Sequence, residues 1–162
     1  FNVEKFQNIS EEESKCINIV SSEEINKIIT LASNKKFKPS TTNMYISRSI
    51  TNTRCLHFDT MDPMFKSFMY LTDVLELNDG PYTYFTGSHK KIFRAKFNMK
   101  MNHYFRYKGD NTDATLFLDR YSKPIFAKKG SILISSQNGA HRGWPQANGH
   151  ERVALVQAWF PE

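Results

Sequence analysis

From residue 41 to residue 160 the chain is a run of short segments rich in Tyr, Ile, Thr, Phe and Val, each closed by a turn signal. No other feature restricts the fold as much, because these residues suit a pleated, half-buried surface. The pattern predicts strands over 43–50, 54–59, 66–77, 82–85, 114–119, 124–127, 131–135 and 152–160. Asp62-Pro63, Asn78-Asp79-Gly80-Pro81, Lys129-Gly130 and Asn138-Gly139 mark turns between them. The stretch 88–108 differs, with Lys, Arg, Met and Phe in little alternation, and reads as a helical or irregular insertion. Ahead of the strands, Ser21-Ser22-Glu23-Glu24 predicts a helix start in which Ser21 caps and Glu24 completes a capping box. Ile25, Ile28 and Ile29 follow at helical spacing, giving one short amphipathic helix that ends near Ser33-Asn34 and packs its apolar stripe on the outside of a sheet. The opening stretch up to Ser21, with its Glu11-Glu12-Glu13 cluster, is poorly periodic and reads as strand or coil. Many strands, antiparallel turns and one helical cover predict a mainly β, double-sheet jelly roll of the cupin kind, as one domain over 1–162 with its core at about 41–160.

A chain of 162 residues can bury a substantial core, and 40% hydrophobic with 14% aromatic content argues against disorder. The net charge of +6 suggests an anionic substrate or partner. Lys35-Lys36, Lys90-Lys91 and Lys128-Lys129 are scattered pairs, however, not the basic block of a nucleic-acid tail, and the aromatics follow apolar strand patterns, so no nucleic-acid partner is expected. Cys16 and Cys55 form neither a disulfide framework nor a Cys-x-x-Cys pattern, so the expected compartment is reducing and cytoplasmic. No apolar run approaches the roughly 18 residues needed to span a bilayer, and no membrane association is expected.

Within 54–60 the alternation of a strand puts His57 and Asp59 on one face and Leu56 and Phe58 on the other. An imidazole and a carboxylate side by side make half of a metal site. A histidine from a distant segment would complete the two-histidine, one-carboxylate triad that binds Fe(II) and leaves positions open for substrate chemistry. His141, in Asn138-Gly139-Ala140-His141-Arg142-Gly143, is the candidate. The bland alternatives are a solvent-facing polar pair at 57 and 59 and a hairpin-turn histidine at 141. Further on, Arg152 opens a strand in which it shares a face with Ala154, Val156 and Ala158, a small-residue face suited to a barrel interior. A buried arginine there needs a partner, and its planar fork matches a carboxylate, which implies a dicarboxylate bridging metal and guanidinium.

In order, His57-Phe58-Asp59, the strand from Phe65 to Val74, Asn78-Asp79-Gly80-Pro81 through Gly87-Ser88-His89, His141-Arg142-Gly143 and Arg152 resemble the phytanoyl-CoA dioxygenase family over about 54–160. These are Fe(II)- and 2-oxoglutarate-dependent oxygenases on a double-stranded β-helix. The resemblance implies that His57, Asp59 and His141 hold Fe(II) and that Arg152 binds the C5 carboxylate of 2-oxoglutarate. It implies use of O2, release of succinate and CO2, and hydroxylation of a small-molecule substrate. A carboxylate at Asp59 favours hydroxylation, since related halogenases carry a small residue there. Lys66, Phe68 and Tyr70 share one face of the next strand and are candidates to line the cosubstrate pocket. Cys55 shares parity with His57 and faces either the cavity or the core. His89 belongs to a loop signature of the family, and His103 and His150 read as surface or structural residues. The rival reading is a non-catalytic jelly-roll module that binds a ligand such as an anionic sugar; such a module has no reason to keep two imidazoles, a carboxylate and an arginine in this order.

Overall fold

Two antiparallel sheets face each other in the structure, a computed structural model that describes residues 2–4 and 11–162, with side chains from 14 onward. The larger sheet is five-stranded, in the order β1 (Asn2–Glu4), β2 (Phe37–Arg48), β8 (Glu151–Pro161), β3 (Phe65–Tyr70), β6 (Ile132–Ser136). The smaller is three-stranded, in the order β5 (Lys123–Ile125), β4 (Tyr82–Tyr84), β7 (His141–Gly143). This is the mainly β jelly roll that the residue pattern predicts.

Alternation along the strands decides which residues enter the space between the sheets. On β3 and β8 the inward set includes Phe68, Tyr70, Ala154 and Val156, which pack with Tyr82 of β4. The outward set meets the helical cover, where Trp159 joins Phe37, Ile25 and Ile29. Burying each of these large side chains stabilises the fold by roughly 1.5–3 kcal/mol. The Ser67 hydroxyl ties the layers together, donating to Val20 O at 2.7 Å and accepting the Trp159 indole N–H at 2.9 Å.

Several boundaries differ from expectation for identifiable reasons. The opening stretch contains a helix, α1 (Glu11–Val20), besides β1; of its residues from 14 on, only Val20 is fully buried, so it carries little periodic signal. Residues 5–10 lie outside the described part. The next helix, α2 (Glu23–Ser33), is capped by Ser22 and not by Ser21: the Ser22 hydroxyl accepts the Ile25 N–H at 3.4 Å, and Asn34 closes the helix in the left-handed region. Residues 54–59 are not a regular strand. His57 alone bridges β7 on one side and Asp113 on the other, which extends the smaller sheet by a single residue. Residues 114–119 are turns because buried side-chain amides capture their backbone, and a short 3-10 turn, Asp119–Tyr121, follows. β3 stops at Tyr70, and β7 forms where only a turn was read. The 88–108 insertion is helical, a 3-10 turn at Ser88–Lys90 and then α3 (Ile92–Tyr104). Cys55 is exposed and belongs to neither cavity nor core. Among the described residues no helix is long and apolar enough to cross a membrane.

Candidate metal centre

Backbone pairing brings the remote histidines together. The His57 N–H donates to His141 O at 2.9 Å and the His141 N–H returns the bond to His57 O at 3.0 Å. Side chains of such opposed residues stand side by side, and the two imidazole centroids are 4.6 Å apart. Asp59 follows two residues later, its N–H held by Gln137 O at 3.1 Å. Leu56 and Phe58 turn the other way into a cluster with Phe85, Ala95, Phe117 and Ala140, which anchors the segment from below. The outcome is that Asp59 Oδ1 lies 3.5 Å from His57 Nε2 and 3.6 Å from His141 Nε2. Donors that share one ion at roughly 2.1 Å stand about 3.0–3.4 Å apart, so the spacing matches to a few tenths of an ångström.

The protons on these rings point to what belongs between them. His57 Nδ1 is 2.9 Å from Cys55 O, and His141 Nδ1 is 2.8 Å from Gly139 O. A carbonyl oxygen only accepts, so each Nδ1 carries its ring proton and, in a neutral ring, each Nε2 presents a lone pair. Two such lone pairs and a carboxylate oxygen then converge with no proton among them. That arrangement repels itself unless a cation sits inside it, and backbone carbonyls on the far nitrogens are the usual means of orienting metal-bound imidazoles. Two imidazoles with one carboxylate form the donor set suited to Fe(II). Burial works against ionisation of Asp59, and the Lys66 ammonium beside it favours the carboxylate.

Lys66 reaches the same carboxylate from β3, its Nζ donating to Asp59 Oδ2 at 2.6 Å. The two oxygens of Asp59 are thereby divided, one toward the imidazoles and one toward the ammonium. Phe68 and Tyr70 share the inward face with Lys66, and the Phe68 ring lies 5.1 Å from that of Tyr82. Tyr82, which the sequence reading passed over, stacks on His141 at 5.5 Å and 26°. Its hydroxyl lies 2.8 Å from Ser135 Oγ, and burial pushes its pKa up from the ordinary value. The Tyr82–Tyr84 alternation was the available signal, since both rings fall on the inner face of β4. Gln137 was also missed; it is fully buried, and besides holding Asp59 by its carbonyl it donates to the Tyr82 hydroxyl at 3.3 Å.

Arg152 occupies the inward face of β8, as its parity predicts. Its Nη1 donates to Gly80 O, and a Cβ at Gly143 would stand 3.3 Å from its Nη2, so a glycine at 143 leaves the guanidinium its room. Burial lowers its pKa from the ordinary value, with Tyr70 the one nearby group acting in the opposite sense. Among the described residues no carboxylate pairs with it. A cavity of about 930 Å³ lies against the two sheet-edge strands β5 and β6, lined by Phe65, Tyr84, Lys90, Lys123, Phe126 and Ser135 among others, with cationic and apolar groups and no carboxylate.

The remaining histidines fall elsewhere. His150 Nδ1 faces Asp79 Oδ1 at 2.8 Å, while Asp79 Oδ2 accepts the N–H groups of Leu75 and Glu76. Glu76, Asp79 and His150 lie close together, with Asp79 Oδ2 occupied by the loop it closes. His103 is exposed on α3, and His89 lies 3.5 Å from the Tyr84 hydroxyl.

A double-stranded β-helix with a His-Asp-His set on its inner side defines the class of architecture to which this chain is similar. Among solved structures it shares its fold with HygX from Streptomyces hygroscopicus with iron bound, at TM-score 0.65 and 17% identity over 90% of this chain and 67% of that one. It is likewise similar to AviO1 from Streptomyces viridochromogenes Tue57 (TM-score 0.62, 16% identity, 94% of this chain and 62% of that one). A third is the non-heme monooxygenase ThoJ (TM-score 0.66, 15% identity, 91% of this chain and 55% of that one). The chain thus spans from 55% to 67% of the length of these proteins. Other HygX structures hold nickel with 2-oxoglutarate, and nickel and 2-oxoglutarate with hygromycin B. No protein-family model matches the sequence, and no curated protein is similar to it.

Proposed function

We propose that the protein is an Fe(II)- and 2-oxoglutarate-dependent oxygenase of the phytanoyl-CoA dioxygenase kind, which hydroxylates a small molecule. The observation that carries this reading is the convergence of His57 Nε2, His141 Nε2 and Asp59 Oδ1 with both ring protons turned away. When bound, the metal and cosubstrate supply oxygen activation coupled to oxidative decarboxylation, so that R–H, O2 and 2-oxoglutarate become R–OH, succinate and CO2.

The chain's own residues do the rest. His57, His141 and Asp59 hold the metal, and Arg152, a part-buried cation with no carboxylate beside it among the described residues, grips the C5 carboxylate of 2-oxoglutarate. Phe68 and Tyr70 wall the cosubstrate and exclude water between the sheets. Stacking on Tyr82 keeps the His141 ring from tilting. Lys66 acts on Asp59, holding Oδ2 so that a single oxygen is offered to the metal and the other positions stay open.

The test is release of succinate from 2-oxoglutarate in the presence of Fe(II) and O2, against the same mixture without iron. A protein that takes up no metal and decarboxylates nothing under any substrate library is the ligand-binding module instead. Lys66 separates two roles within the reading. Because it holds Asp59 and not the cosubstrate, Lys66→Met should leave the KM for 2-oxoglutarate within about twofold, and a rise of an order of magnitude or more would place the ammonium on the diacid.

A further inference from the structure

α3 has the polarity of its faces reversed. Its buried positions are Ala95, Asn98 and Asn102. Asn98 Nδ2 donates to Asp113 O at 2.7 Å, Asn98 Oδ1 accepts the Leu116 N–H at 2.6 Å, and Asn102 Nδ2 donates to Asp113 O at 2.8 Å. The helix is therefore fastened to the 113–116 loop mainly by amides, with Ala95 in the core cluster, and its aromatic side chains are not used for attachment. They lie on the opposite side: Phe93 is 93% exposed, Phe97 56% and Tyr104 77%, with Phe105 at 68% just beyond the helix end. At 3.6 residues per turn, positions 93, 97 and 104 fall on one line. A helix whose outer face meets only water carries the reverse distribution.

The charge around this stripe has one sign. From 88 to 109 there is no Asp or Glu, while Lys90, Lys91, Arg94, Lys96, Lys100, Arg106 and Lys108 are all present. This one segment outweighs the +6 of the entire chain. Arg94 is committed to Leu116 O and the Phe117 ring, and Lys91 lies over Phe85. Lys96 and Lys100 remain exposed beside the aromatic line.

We propose that α3 docks the protein on an anionic phospholipid surface, with Phe93, Phe97 and Tyr104 entering the boundary between headgroups and acyl chains and the flanking lysines meeting lipid phosphates. Aromatics that stand out beside exposed lysines can enter the boundary of an anionic bilayer while the ammonium groups reach back to its phosphates, so the helix rests on the surface without crossing it. The expectation of no membrane association rested on the lack of a spanning run, and a surface helix needs none. A protein partner that buried the face in a core would leave its lysines without counter-charges. Single-stranded nucleic acid is held in a groove that follows its backbone, whereas these rings stand out from a helix surface. No residue of the candidate metal centre takes part, so the inference stands apart from the oxygenase reading.

Cosedimentation of the full chain with vesicles tests it. Binding to phosphatidylcholine vesicles containing about one quarter phosphatidylserine should exceed binding to phosphatidylcholine alone by roughly tenfold or more and should weaken as salt rises. Phe93→Ser/Phe97→Ser/Tyr104→Ser and, separately, Lys96→Glu/Lys100→Glu should each reduce it at least about tenfold, with unchanged circular dichroism because all five side chains are exposed. The proposal is overturned if the anionic vesicles bring down no protein, or if both variants sediment like the parent. It is equally overturned if the triple variant only abolishes self-association, which makes a second copy the occupant, or if a single-stranded oligonucleotide binds this face more tightly than the vesicles do.

Discussion

Asp59→Ala should abolish both metal uptake and succinate release, the latter by about a thousandfold or more, which corresponds to roughly 4 kcal/mol of lost transition-state stabilisation. The residue supplies the only carboxylate of the triad, and its Oδ1 is the atom that both Nε2 nitrogens face. Removing it leaves two neutral donors, too few to hold Fe(II) against water. A second readout separates loss of the site from loss of the fold. Ni(II) at a hundred times its Kd should stabilise the parent by about 2.7 kcal/mol, which for a chain of this size raises the Tm by roughly 5–10 °C. The Asp59→Ala protein should melt near the metal-free parent and show no such rise. If it still takes up Ni(II) with parental affinity, Asp59 is not a ligand.

Arg152→Met should raise the KM for 2-oxoglutarate by about thirtyfold to several thousandfold, the range that follows from truncating one partner of a buried charge pair at roughly 2–5 kcal/mol. Metal affinity should remain parental, because the guanidinium touches Gly80 O and none of the three donors. Folding stability should not fall much either. Burial already disfavours this charge, and an apolar side chain of similar length removes that desolvation cost while giving up one hydrogen bond to a carbonyl. Isothermal titration of 2-oxoglutarate into the Ni(II)-loaded protein measures the loss directly. Parental affinity in the variant would mean that the diacid lies elsewhere.

Lys66 and Tyr82 show how position on a strand and role in a site separate. Parity alone places Lys66, Phe68 and Tyr70 on one face of β3, and the structure keeps them there. That the inward lysine meets a protein carboxylate depends on which loop crosses the open end of the sheet, and the segment carrying Asp59 does so. Tyr82 was legible as an inward aromatic of β4, but its stacking on His141 follows from the β4–β7 register, which pairs Tyr82 with Gly143 and Tyr84 with His141.

The helices and the 54–59 segment divide in the same way. α2 could be read because its isoleucines repeat at helical spacing and Asn34 stops it in the left-handed region. α1 could not, since of its residues from 14 on only Val20 is fully buried, and its helicity is held by packing against β3 and β8. In α3 the sequence showed a basic, poorly patterned insertion. Only the tertiary structure revealed that asparagines face inward, because their partners at 113–116 lie on a loop ten or more residues downstream.

What the sequence determined by itself was local: alternation over strands, turn positions, and the presence of two imidazoles, one carboxylate and one arginine in a particular order. What the tertiary structure decided was convergence. His57 and His141 are separated by most of the sheet-forming chain and meet through two backbone hydrogen bonds, each Nδ1 proton is turned away by a carbonyl two residues earlier, and Gly143 leaves room for the guanidinium while Gly80 O accepts from it. Side-chain direction follows from the dihedral angles of a few neighbouring residues, whereas which segments become neighbours in space follows from closure of the two sheets around a shared core, and no short stretch of sequence contains that information.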